Sequence, residues 1–571
     1  MKIWLLLILI LAILVRIVFL NKIPPGIAND EINIIINAQS LLNTAHNIPG
    51  VITGILGSQT GDPGGGIHSE ISSYLLIPFI ALFGFSWPVV KLPFIFASIG
   101  IVLISYLLVK KLVNKDAALF AAFFASINPW LIFFARSAYE SIFSAFFYLL
   151  AIYIIFSFKK WKILWSIPFF ILGFLSYFSA KTLMVPLSLA ALMAVKLLGL
   201  KDSVKPVLLI NVILLIFLSF YYPILIKNPA GVRFNELKNQ TTKSLVDTKR
   251  TLSLDSPINS FYENKLVEEL RVRLQASLGL ISATYLFVNG QPENIPSLNT
   301  DSHGPLYLID LPLIILGFFF LIKTNQKLFF TLLGFISVTL IPNFLNLAGT
   351  TYTIRTVILF PLLTIISALG IYYIKSVFSH TFFSKIYVIV LIMYILFFGN
   401  FIFEYFMRLP IDKNEGWFLS DRLLSRYINL SIKKENSDIT VVSPSPKFTM
   451  YRYLFYNNLY NSSSIQSINN KLSTRDYSVG RVKIINDCPG DLLTNNKTLI
   501  IDTSLKCSKD LKGSAIASPK DGRAQYIITN DKLCHLLVNR HYPLIKNLSE
   551  LDIEHLSDQE FCQKYITNIL F

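Results

Sequence analysis

The residues best suited to chemistry begin at Pro24-Pro25-Gly26-Ile27-Ala28-Asn29-Asp30-Glu31, where two adjacent carboxylates precede a helix-like pattern over 32–42. Two acids beside a long apolar run are costly near hydrocarbon and call for a reason. One reading is a helix start, with Asn29 or Asp30 as N-cap and Glu31 complementing the helix dipole. The other is a general base that takes a proton from an attacking hydroxyl. Cations occur in comparable settings. Arg136 and Glu140 stand four apart in Ala135-Arg136-Ser137-Ala138-Tyr139-Glu140, at the outer end of one helix and the start of the next, a spacing that would let them pair with each other. Lys181 follows Ser176-Tyr177-Phe178-Ser179-Ala180, and Arg355 interrupts Thr351-Tyr352-Thr353-Ile354. Each alone suits a snorkelling side chain. Several together with a carboxylate pair suit a bound phosphate, whose charge guanidinium and ammonium groups match.

His68 and Glu70 follow Asp62-Pro63-Gly64-Gly65-Gly66. With Asp30 or Glu31 they form a weak candidate set for a divalent cation, and no other cofactor is indicated. The glycines lack the strand-loop-helix setting of a nucleotide-phosphate loop. HExxH, CxxC and GxSxG are missing from the sequence, so zinc proteolysis and serine hydrolysis have no support.

The elements that must position these residues are membrane helices. Of 571 residues, 53% are hydrophobic and 15% charged, against roughly 25% charged in soluble domains. The net charge of +17 is spread in short clusters between apolar runs, with no stacking module beside it, which argues against nucleic acid and for membrane lipid as a partner. Runs of spanning or near-spanning length cover 3–20, 72–85, 88–109, 117–134, 142–158 and 163–178, then 183–198, 207–226, 306–322, 328–345, 356–374 and 386–403. The first run has no small-residue cleavage site before Pro24 and reads as a retained helix. Placing the lysines at 110, 111 and 115, at 159, 160 and 162, at 196, 201 and 205, at 323 and 327, and at 375 and 385 inside puts the N-terminus in the cytoplasm. Segments 21–71 and 227–303, and all that follows Phe406, then lie outside. That arrangement needs an odd number of spans. Either 72–85, the shortest run, is re-entrant or a neighbouring run is broken, so 11 or 13 transmembrane helices are expected.

After Phe406 the chain becomes rich in Asn, Ser and Lys, with β-like runs at 438–442 and 498–502. The expected organisation is a multi-pass domain over 1–406 and a small extracytoplasmic α/β domain over 407–571. All four cysteines (Cys488, Cys507, Cys534, Cys562) lie in the latter, which suits an oxidising compartment. Short local loops favour the pairs Cys488–Cys507 and Cys534–Cys562; four buried free thiols are the alternative.

Taken together, the chain resembles the GT-C superfamily of polyprenyl-phosphate-sugar-dependent glycosyltransferases, in the branch of protein O-mannosyltransferases and aminoarabinose transferases. The resemblance rests on Asp30-Glu31 with Asn37-Ala38-Gln39-Ser40-Leu41-Leu42, on Lys91-Leu92-Pro93, on Arg136 and Glu140, and on Ser176 to Lys181. It continues through Phe287-Val288-Asn289-Gly290-Gln291-Pro292 to the stretch from His303 to Pro312. It implies a GT-C-like fold and an inverting transfer of sugar from a polyprenyl-phosphate carrier to an acceptor hydroxyl of protein, lipid or envelope glycan, at the external face of the cell membrane. By the same resemblance Asp30 is the base and Glu31 a positioning carboxylate, while Lys181 and Arg355 hold phosphate. Arg136, Glu140, His303, Lys91 and His68 are further substrate-binding candidates. The sequence departs from the family pattern at His68-Ser69-Glu70, where His-Pro-Pro is common, and at Lys91 and Lys181, where Arg is common. Two rivals are a transporter or flippase of lipid-linked sugars and a non-enzymatic envelope assembly protein. A transporter more often shows internal symmetry or broken helices at the midplane; no clear repeat is evident here, and the candidate charges lie at outer helix ends.

Overall fold

Apolar runs broken by Asn, Pro and Gly dictate helices with sharp ends, and the computed structural model has them at the expected places. It describes residues 2–49, 69, 71–227, 243–254, 256–291, 303–345, 351–356, 358–378, 385–488, 498–505, 507, 513–534, 545 and 547–569. His68 and Glu70 lie outside the described residues. The described chain divides into two compact units.

The first unit takes the described residues of Met1–Val18, Ile52–Ser72 and Pro93–Phe401. Among its helices, Lys115–Ser126 and Pro129–Arg136 form one apolar stretch bent by 47°. The bend has a local cause. Pro129 has no N–H to donate, and Asn128 restarts the helix by accepting from the Leu131 N–H at 3.0 Å. The Asn128 amide in turn donates to the Pro305 carbonyl and the Thr364 hydroxyl, both at 3.2 Å, so the break is satisfied internally. Helices Asp310–Thr324 and Leu359–Phe378 approach backbone to backbone. A Cβ on Gly317 would fall 2.1 Å from the Ile366 carbonyl oxygen, and one on Gly370 2.0 Å from that of Leu313.

Across the described residues, six helices are long and apolar enough to cross a membrane: Trp87–Leu112, Ser179–Leu197, Lys201–Pro223, Gln326–Phe344, Leu359–Val377 and Ile386–Asp412. The bent pair makes a seventh if it counts as one span. Large apolar side chains face outward on them, Phe220 at 75% and Leu396 at 67% exposure among them, as lipid-facing surfaces require. Ser72–Phe83 has 12 residues and contains Pro78; at about 1.5 Å per residue it is shorter than a hydrocarbon core.

The second unit takes Phe19–Val51, Ser73–Leu92 and Ile402–Phe571 in their described parts. The first loop therefore folds with the C-terminal domain. That domain holds strands β1 (Ile439–Val442), β2 (Ser478–Val479), β3 (Val482–Ile485), β4 (Thr498–Asp502), β5 (Gly513–Ala517), β6 (Ala524–Ile528) and β7 (Ile566–Ile569). They form a sheet in the order β2-β3-β1-β4-β6-β5-β7, parallel where β1 meets β3 and β4 and antiparallel elsewhere. The two β-like runs read from sequence are β1 and β4. Val442, Leu499 and Ile501 pack in the core beside them. The cysteines pair as Cys488–Cys507 and Cys534–Cys562, with Cα separations of 5.4 and 5.3 Å. Helices Leu419–Glu435 and Pro446–Tyr456 cover the sheet domain and supply the side chains that meet the first loop.

Candidate active site

Helix Asn29–Thr44 carries the acid pair in its first turn. Its N-cap is Ala28, whose side chain has nothing to offer, so the expectation of Asn29 or Asp30 as cap is corrected: the helix begins one residue earlier than the polar side chains suggest. Asp30 is exposed, and among the described residues no hydrogen bond or ion pair holds its side chain. Glu31 is 1% exposed and pairs with Lys91 Nζ at 3.4 Å, with Lys91 itself fully buried and 5.3 Å from the Trp87 ring centroid. Burial pushes the Glu31 carboxyl from an ordinary 4.5 up to about 7, opposed chiefly by Lys91. Two neighbouring carboxylates thus have opposite environments, one open and one sealed with a cation. Lys91, a candidate for binding substrate, directs its charge to Glu31.

The backbone leading into this turn is held by two arginines that sequence reasoning missed. Arg422 Nη1 donates to the Pro25 carbonyl at 2.9 Å, while its Nε donates to Glu554 Oε1 at 2.8 Å and its Nη2 to the other carboxylate oxygen. Its guanidinium lies 4.4 Å from the Trp87 ring centroid. Arg452 Nε donates to the Ile27 carbonyl at 2.9 Å and its Nη2 to the Asn29 side chain. Nη1 of the same side chain pairs with Asp421 at 2.6 Å, and the guanidinium stacks 3.8 Å over Phe418. Asp421 also accepts from the Tyr526 hydroxyl on β6. Gly26 lies between these contacts, and a Cβ there would sit 2.1 Å from the Trp417 carbonyl oxygen. A signal for one of them was present in the sequence. Arg452 interrupts an apolar helical stretch, Met450-Tyr451-Arg452-Tyr453-Leu454, whereas Arg422 stands among polar residues in Ser420-Asp421-Arg422 and carries no such signal.

In the first unit, Arg136 and Glu140 do not share a helix. One helix ends at Arg136 and the next begins at Ser141, as the sequence suggested, and Ala138 between them has φ +52°. Both are buried. Arg136 Nη1 donates to the Val15 and Arg16 carbonyls at 3.2 and 3.0 Å, and Glu140 accepts from the Ser69 N–H at 3.3 Å. Lys181 is half-buried, donates to the Tyr221 hydroxyl at 3.1 Å, and lies 4.8 and 5.0 Å from the Phe174 and Tyr221 ring centroids. Arg355 sits in the 3-10 turn Thr353–Thr356, half-buried, 4.3 Å from the Tyr352 ring centroid. Among the described residues, no hydrogen bond or ion pair engages its guanidinium. His303 lines a cleft with Trp130, Phe133, Gln291, Thr353 and Phe401, and its Nε2 lies 2.7 Å from Asn400 Nδ2. Thr353 starts the Arg355 turn, and its N–H donates to Gln291 at 2.8 Å. The structure therefore brings His303 and the Arg355 turn to one cleft.

No family model matches the sequence, and no curated protein does. Solved structures do match the fold. The apo aminoarabinose-transferase-type protein ArnT from Cupriavidus metallidurans aligns with TM-score 0.50 and 9% identity over 92% of this chain and 98% of its own. The Archaeoglobus fulgidus oligosaccharyltransferase tethered to an acceptor peptide containing the NVT sequon aligns with TM-score 0.50 and 13% identity over 93% of this chain and 74% of its own. Both are GT-C glycosyltransferases. The fold here is the one that these two structures share. Within it, this chain offers one open carboxylate on a helix start and a second carboxylate neutralised from inside. It also offers half-buried cations that lie against aromatic rings. Among the described residues no group of three or more His, Cys, Asp or Glu side chains is placed to hold a metal ion.

Proposed function

We propose that the protein is a membrane glycosyltransferase that moves a sugar from a polyprenyl-phosphate carrier to an acceptor hydroxyl, with inversion, at the external membrane face. The observation that carries this reading is the division of labour in the acid pair: Asp30 is exposed with no side-chain partner among the described residues, while Glu31 is sealed against Lys91. Asp30 is the group able to accept a proton. The acceptor O–H gives its proton to Asp30 as its oxygen bonds to the anomeric carbon. The bond from that carbon to the phosphate oxygen breaks, and polyprenyl phosphate leaves with the electron pair. Lys181 and Arg355 stabilise the charge gained by the departing phosphate, as preorganised cations do at other transition states. Glu31 and Lys91 act by setting the helix start, and Arg136, Glu140, His303 and His68 shape the substrate sites. The basic clusters orient the N-terminus to the cytoplasm and the C-terminal domain outward, an arrangement that suits its two disulfides.

The test is Asp30→Asn in full-length protein reconstituted with labelled polyprenyl-phosphate sugar. Loss of a general base predicts transfer slowed roughly 10²–10⁴-fold with donor binding retained. Near-normal transfer by the folded variant would remove Asp30 as base. Translocation of the labelled lipid without transfer would favour a flippase.

A further inference from the structure

The Asp30 side chain has no hydrogen bond or ion pair of its own among the described residues, so its direction is set by the backbone that carries it. A helix advances about 100° per residue, and the geometry of its first turn therefore fixes where a residue in that turn points. The usual device for fixing a first turn is a capping side chain. Ala28 cannot supply one. In its place stand Arg422 on the Pro25 carbonyl, and Arg452 on both the Ile27 carbonyl and the Asn29 side chain. The contacts fall on residues 25, 27 and 29, on both sides of the missing cap and ending one residue before Asp30.

We propose that Arg452 and Arg422 are positioning residues that aim the Asp30 carboxylate through a two-guanidinium clamp on residues 25–29, so that the C-terminal domain is part of the catalytic apparatus. The proposal rests on the reading of Asp30 as the base. Each clamp is itself anchored. Arg452 is locked by Asp421, which Tyr526 also holds, and by the Phe418 ring. Arg422 is locked by Glu554 and by Trp87. Both arginines are 1% exposed, and their planar, multiply bonded heads transmit the sheet domain's rigidity to the loop. A purely cohesive role for two buried guanidiniums would be served by any carbonyls of the loop. The observed targets are instead the groups that frame the start of the Asp30 helix.

The test uses full-length protein in nanodiscs, with a membrane-lipid extract containing native polyprenyl-phosphate sugars as donor pool and release of polyprenyl phosphate as the readout. Arg452→Lys keeps the charge and loses the fork; Asn29→Ala removes one contact from an incompletely buried residue and tests the same clamp where Arg452→Lys does not fold. Both are expected to lower kcat roughly 10–10²-fold, as a displacement on the order of 1 Å does in an oriented site, with donor KM unchanged. In an Asp30→Asn background the same changes are expected to cost nothing further, because there is no base left to aim. An equal loss in both backgrounds, an unchanged kcat in folded variants, or a rise confined to KM overturns the clamp. Full activity of Asp30→Asn alone would instead strike the base reading. Independently of turnover, hydrogen exchange at the amides of residues 29–33 is expected to rise at least tenfold in Arg452→Lys or Asn29→Ala; unchanged exchange there overturns the clamp as well.

Discussion

Replacing Lys91 by Met would leave Glu31 in its sealed position without a counterion. Lys91 and Glu31 are 0% and 1% exposed, with Nζ and Oε1 3.4 Å apart. Removing one partner of such a pair costs about 3–5 kcal/mol, because the survivor remains buried and uncompensated. Even with Lys91 present, burial raises the Glu31 carboxyl from 4.5 to about 7. At 1.36 kcal/mol per pH unit, keeping it ionised in the fold costs about 3 kcal/mol relative to the protonated form. The sign follows from proton counting. Between pH 4.5 and about 7 the folded state holds a proton that the unfolded state has released, so this stabilising contribution is complete at low pH and is lost as pH rises through that window. Without Lys91 the carboxyl rises further, and Lys91→Met should lose more stability at pH 8 than at pH 6. The double variant Glu31→Gln, Lys91→Met carries no charge at the site. It should recover at least about 2 kcal/mol of the single-variant loss and show a flatter dependence on pH than wild type. The assay is thermal inactivation in one detergent at pH 6, 7 and 8 for wild type, both single variants and the double variant. Additive losses, or a double variant with the wild-type pH dependence, would refute a coupled buried pair and return Lys91 to a direct part in binding substrate.

The remaining predictions concern other parts of the chain. Arg355→Ala and Lys181→Ala should each raise donor KM tenfold or more, from a charge-assisted contact worth roughly 1.5–3 kcal/mol, while acceptor KM holds steady; a shift confined to acceptor KM would assign them elsewhere. Non-reducing peptide mapping should find Cys488 linked to Cys507 and Cys534 to Cys562, and four thiols alkylated without reduction would contradict it. Gly26→Ala should destabilise by about 1–3 kcal/mol through overpacking, because its Cβ would meet the Trp417 carbonyl oxygen at 2.1 Å; an unchanged inactivation temperature would show that the first loop is not packed on that strip of chain.

Much of the helical architecture was legible because hydrocarbon imposes one solution on apolar runs. The stretch 386–403 is a helix with those limits, whereas 117–134, read as a single run, is two helices that meet at Asn128-Pro129. The sheet domain was legible in outline from β1 and β4, whose β-branched residues fill a buried centre. The assignment of the first loop was not. Hydropathy is a local property, whereas the packing of residues 19–51 with residues beyond 402 depends on contacts some 400 positions apart.

The acid pair shows where the limit lies. Sequence places Asp30 and Glu31 side by side and cannot separate them, since adjacent helical residues differ by about 100° of rotation and nothing local sets its origin. The origin comes from outside the helix. Arg422 and Arg452, arriving from the other end of the chain, fix the backbone at Pro25, Ile27 and Asn29, and the same rotation that buries Glu31 against Lys91 leaves Asp30 open. An arginine on an apolar helical face is therefore a stronger pointer than its isolation suggests. Its cost in a packed interior must be met by acceptors, and here those acceptors include the carbonyls and the amide side chain at the start of the helix that carries the proposed base.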